Sequence, residues 1–63
     1  MKRRTIKIGA DAMLEVELSV HGWEVAILDR NGVYKDLYIE ADLAARDKRI
    51  EDVGGRLVLA AFK

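Results

Sequence analysis

The chain has no cysteine, no proline, one histidine and one serine among its 63 residues. It also has few aromatic residues and no formal net charge. Without cysteine there is no disulfide to stabilise a small fold. With His21 as the only imidazole, a structural zinc site, which takes several Cys or His ligands, is nearly excluded as well. No run approaches the roughly 18 consecutive apolar residues that a membrane span needs. The basic start, Met1-Lys2-Arg3-Arg4, is followed by Lys7 and Asp11 rather than by an apolar core, so it does not read as a secretion signal. A soluble, cytoplasmic protein with no membrane contact is expected.

Length sets the next bound. A chain of this size forms one domain, residues 1–63, and buries only about 60% of the surface its unfolded form exposes. Small domains compensate with cross-links, metals or partners. The first is excluded and the second nearly so, which predicts a homodimer or a permanent place in a larger complex.

Alternation of apolar and polar residues over 14–20 (Leu14, Val16, Leu18, Val20) marks a half-buried strand. A second alternating run spans Trp23–Ile27, and a shorter one Thr5–Ile8. His21-Gly22 between the first two suits a two-residue hairpin loop, which would pair Val20 with Trp23, Leu18 with Val25 and Val16 with Ile27. In the same register scheme Lys7 falls opposite Glu15. At the next turn Asp29 suits the first position of a type I turn and Gly32 the left-handed position of a three-residue loop, Arg30–Gly32. Leu37 would then meet Val25, and Ile39 would meet Trp23. This places Ala26, Leu28, Tyr34 and Tyr38 on the opposite face.

From Glu40 to Val53 the period becomes helical. Leu43, Ile50 and Val53 form one stripe that Asp47 interrupts. Glu40 and Asp42 suit the start of the helix, and Gly54-Gly55 its stop. The stretch 56–62 is apolar on both faces, as in a strand covered on both sides. The expected fold is α+β: a four-stranded antiparallel meander, one helix and a final C-terminal strand (ββββαβ), forming a curved sheet or a small, partly closed barrel.

No catalytic constellation is visible. Ser19 and His21 lie two apart near a turn, with no third group to orient the histidine. Asp29, Asn31 and Gly32 do not match a calcium loop, because Ile27 and Tyr38 would fall at ligand positions. There is no phosphate-binding glycine motif. Neither an enzyme nor a cofactor or metal protein is expected.

The charges are segregated. Between Gly9 and Asp29 there are five acids and no Lys or Arg. One helix cannot cover both faces of a sheet, so either curvature hides the apolar and aromatic patch or a partner does, and such a patch is an interaction-site candidate. The expected function is therefore a non-catalytic protein-binding regulator, adaptor or inhibitor. Its contacts would come from Leu28, Tyr34 and Tyr38, or from an acidic surface of Glu15, Glu17 and Glu24 steering a basic protein partner. Against this stands a nucleic-acid-binding alternative, using the basic arm and helix: Lys2, Arg3, Arg4, Arg46, Lys48 and Arg49. The plainest alternative is a solvated surface on which neighbouring charges cancel, for example Asp42 with Arg46 one helical turn apart.

Overall fold

The computed structural model describes the backbone of residues 3–61, and the side chains of that range apart from 56–58, 60 and 61. Four strands, β1 (Arg3–Lys7), β2 (Ala12–Ser19), β3 (Gly22–Asp29) and β4 (Tyr34–Glu40), are followed by one helix, α1 (Leu43–Ala61). The strands form an antiparallel meander in the order β1-β2-β3-β4, open at both edges. The helix lies on one face, against β3 and β4. Beneath it Leu14, Val16, Val25 and Ile50 form the buried core, with Ile6, Ile8, Trp23, Ile27, Tyr38, Val53 and Leu59 packed around them.

The first long hairpin turns one residue earlier than expected. Leu18 pairs with Trp23, Val16 with Val25 and Leu14 with Ile27, so Val20 and His21 form the loop and Gly22 already belongs to β3. The shift from the expected register is two residues. Because side chains alternate with a period of two, the core face is unchanged. Two features favour the earlier turn. The Ser19 hydroxyl donates to the Gly22 carbonyl and accepts from the His21 N–H, each at 3.1 Å. Gly22 adopts a φ of 119° where the start of β3 passes the end of β4. Likewise Glu15 sits opposite Thr5, and Lys7 opposite Met13.

The second hairpin has the expected three-residue loop. The Gly32 N–H bonds to the Asp29 carbonyl at 3.0 Å, and Gly32 has the left-handed φ of 80°. Asp29 Oδ1 accepts from the N–H groups of Asn31 at 2.8 Å and Val33 at 3.0 Å. The Val33 N–H above all holds the Asp29 carboxyl below its ordinary value of 3.8, with partial desolvation opposing and the Asn31 N–H and Lys35 adding smaller help. The folded pKa lies below the unfolded one. This contribution is therefore fully present above the unfolded value and is lost as pH falls through the folded value. Acid titration should accordingly loosen the loop below about pH 4, seen as faster exchange of the Val33 amide. In Asp29→Asn that acid step should be absent.

Beyond the loop, β4 departs from the expected register. Leu28 pairs with Tyr34, but Ile27 pairs with Asp36, Ala26 with Leu37 and Val25 with Tyr38. One extra residue, Lys35, is accommodated as a bulge, which inverts the faces of the rest of the strand. Tyr38 therefore lies on the helix face, not beside Tyr34, and Leu37 and Ile39 take the opposite face.

At the helix start Asp42 acts as N-cap, its Oδ1 accepting from the Ala45 N–H at 2.8 Å. It does not pair with Arg46, which binds Asp47 instead. At Gly55 (φ 80°, ψ 177°) the helix breaks, as the glycine pair suggests, but helical backbone resumes and continues to Ala61. The final strand is thus not seen and the sheet is not closed; Phe62 lies outside the described residues. The physical reason is composition. Arg, Leu and Ala all favour helix, and Val58 is the single β-branched residue in 56–61.

Candidate functional site

With the helix on one side, the opposite face of the sheet has no covering element among the described residues. Its exposed aromatic and large aliphatic members come from β4: Tyr34, Leu37 and Ile39 are 58%, 50% and 50% exposed. Beside them the strands form a concavity of about 220 Å³ with Ala26 as its floor. Arg3, Glu15, Glu17 and Glu24 line it together with Tyr34 and Leu37. The aromatic and the acidic candidate surfaces are therefore one surface. Alternation explains the convergence: Glu15 and Glu17 on β2, Glu24 and Ala26 on β3, and Tyr34 and Leu37 on either side of the bulge all point the same way.

The three carboxylates differ in their surroundings. Glu15 is well covered. Its Oε1 accepts from the Tyr34 hydroxyl at 2.7 Å and lies 3.9 Å from Arg3. That hydrogen bond holds the Tyr34 phenol above its ordinary value of 10.0. Glu17 and Glu24 face each other directly across β2 and β3. Neither accepts a hydrogen bond or an ion pair among the described residues. Two like charges directly opposite raise the energy of a sheet by a few tenths to about 1 kcal/mol.

Leu28 contributes little surface. It is 6% exposed, flanked in the register by Met13 and Tyr34. Tyr38, on the other face, donates its hydroxyl to Asp36 Oδ2 at 2.7 Å, which raises its pKa. The Arg49 guanidinium lies 4.0 Å from the centre of its ring. Leu37 and Ile39 join the open face without having been singled out as contacts in the sequence, and Arg3, expected only as part of a nucleic-acid-binding surface, joins them. The only signal for the first two is the bulge, and both faces of β4 carry enough apolar side chains to hide it.

The basic residues do not gather. Lys2 lies outside the described residues. Arg3 leans on Glu15 on the open face, whereas Arg4 stands opposite Val16 on the helix side. Arg46 is buried at 7% exposure, 4.6 Å above the Trp23 ring, with Nε and Nη2 donating to Asp47 Oδ1 at 3.0 and 2.6 Å. Arg49 donates to Glu40 Oε2 at 3.0 Å, and that bond raises its pKa. Lys48 is exposed, in a shallow groove that it shares with Glu40, Arg49 and Asp52. Both signs of charge interleave there.

Ser19 is engaged by the backbone of its own turn, and His21 is exposed. Among the described residues no cluster of three or more His, Cys, Asp or Glu could hold a metal ion, and no helix is long and apolar enough to cross a membrane. No protein-family model, curated protein or solved structure matches the chain. What the fold and the face define is an open α+β sheet covered on one side and presenting an acidic, partly aromatic surface on the other.

Proposed function

We propose that this chain is a non-catalytic protein-binding module, a regulator, adaptor or inhibitor, that uses the open face of its sheet to occupy the surface of a basic protein. The observation that carries the proposal is the pairing of Glu17 with Glu24 amid exposed Tyr34, Leu37 and Ile39. Opposed carboxylates destabilise the isolated sheet, and a cationic group placed between them relieves both. The surrounding apolar area supplies the remaining drive for association.

Charge also selects among occupants. A two-fold dimer through this face would set three carboxylates against three, with Arg3 the one cation among the lining residues. Nucleic acid would bring phosphates to the same carboxylates. A basic, partly apolar protein surface suits the face better than either.

Photo-crosslinking in the cells that make the protein tests this. A photoreactive residue at Leu37 is expected to crosslink a single protein, and the crosslinked segment should carry net positive charge. The same residue at Lys48, on the helix side, should not capture that protein. Equal capture from both positions, crosslinking to nucleic acid, or an acidic crosslinked segment would overturn the proposal.

A further inference from the structure

Both faces of the sheet carry aromatic rings and carboxylates, but among the described residues only one face is covered by a further element. On the helix face each of two sheet aromatics is covered by an arginine that a carboxylate holds: Trp23 by Arg46 with Asp47, and Tyr38 by Arg49 with Glu40. The two arginines are three residues apart, so one face of α1 delivers both. On the open face the Tyr34 hydroxyl rests on Glu15 beside Arg3, whereas the opposed Glu17 and Glu24 have no ion-pair partner among the described residues, and none of the described elements crosses this face.

A partner strand adding to the edge of β4 would meet obstacles. The Lys35 bulge interrupts the strand, and the Asp36 carboxylate already accepts the Leu37 N–H at 2.9 Å. Both are devices that protect sheet edges from pairing. The open face is therefore better suited to a partner than the β4 edge, and the element that packs on a sheet face is a helix.

We infer that the partner covers the open face with an amphipathic helix whose arginines, three or four residues apart, bridge Glu17 and Glu24 and stack on Tyr34. Its aliphatic side chains cover Leu37 and Ile39. Arginine suits the place better than lysine, because its planar guanidinium can engage two carboxylates at once and stack on a ring, and it is more weakly hydrated than an ammonium. The inference rests on the open face being the partner surface.

Three synthetic peptides test it: an Ala/Leu helix with two arginines at i and i+3 on its leucine face, its lysine twin, and an arginine twin broken by a central proline. The helical arginine peptide is expected to bind and to shift the amide resonances of Ala26, Tyr34 and Leu37. The lysine twin should bind at least about tenfold more weakly, and the proline twin not measurably. Equal binding by the lysine or proline twin, or no binding by any of the three, would overturn the arginine-helix inference while leaving the open face as a docking surface. Binding that survives Glu17→Gln with Glu24→Gln, or that shifts only helix-side residues, would overturn both.

Discussion

Gly22→Ala should abolish most of the stability of this protein. A Cβ at that position would stand 2.7 Å from the Glu40 carbonyl oxygen, which is backbone and cannot rotate away. The φ of 119° is itself a conformation that L-residues rarely adopt. Backbone strain of this kind costs about 1–3 kcal/mol, and the overlap with Glu40 adds to it. The total stability expected for a chain of this length is only a few kcal/mol, at roughly 0.05–0.15 kcal/mol per residue. Urea denaturation followed by Trp23 fluorescence should show the midpoint collapsing toward zero denaturant. Gly32→Asn separates strain from overlap. Gly32 has a φ of 80°, and nothing lies within 4 Å of its virtual Cβ. Asparagine tolerates that region, so the midpoint should change little. A near-wild-type midpoint for Gly22→Ala would mean that β3 and β4 do not approach as described.

Ile50→Ala is expected to be comparably damaging for a different reason. Ile50 is fully buried and, among the described residues, is the helix's one member of the central core cluster, the other three coming from the sheet. Truncating a buried isoleucine costs about 2–5 kcal/mol from lost burial and from the cavity left behind. Here the loss also falls on the contact that docks the helix. Far-UV circular dichroism should show helix signal and thermal cooperativity falling together. Leu43→Ala is the matched control: Leu43 begins the same helix but is 55% exposed, and its truncation should shift the melting temperature only slightly. A cooperative Ile50→Ala variant with an unchanged midpoint would contradict the placement of α1 on β3 and β4.

The element order up to the helix and the core face of β2 and β3 are legible in the sequence, because both follow from periodicity. Leu14, Val16, Trp23, Val25 and Ile27 keep to one face whether the hairpin turns at Val20 or one residue later. Periodicity is blind to a two-residue register shift, and the choice rests on Ser19 bonding across the turn and on Gly22 passing Glu40. The open face was legible in part. Tyr34 falls on it as expected, and the glutamates expected as an alternative surface share it. The expected placement of Tyr38 beside Tyr34, with Leu37 and Ile39 on the core face, is reversed. A single bulged residue exchanges them, and β4 is apolar on both sides. What fixes the exchange is tertiary: Arg49, arriving from the helix, covers the Tyr38 ring. The tail is ambiguous in the sequence because an apolar run of six residues, 57–62, fits a buried strand and a helix equally well by pattern. Its leucines and alanines, taken by propensity, point to the helix.

The arginines that looked available for phosphates are thus part of the fold. Arg46 and Arg49 fasten the helix to the sheet through Trp23 and Tyr38, leaving the acidic side as the surface that the fold does not use. Stability and binding should consequently trade against one another there, as they do where a site retains unfavourable contacts for function.

That trade is tested most directly by crosslinking from position 37 in a Glu17→Gln, Glu24→Gln background. Removing the opposed charges should leave the fold intact and raise its stability by a few tenths to about 1 kcal/mol, yet the crosslink to the basic partner should disappear. Undiminished crosslinking in this folded variant would contradict a role for the open acidic face in holding that partner.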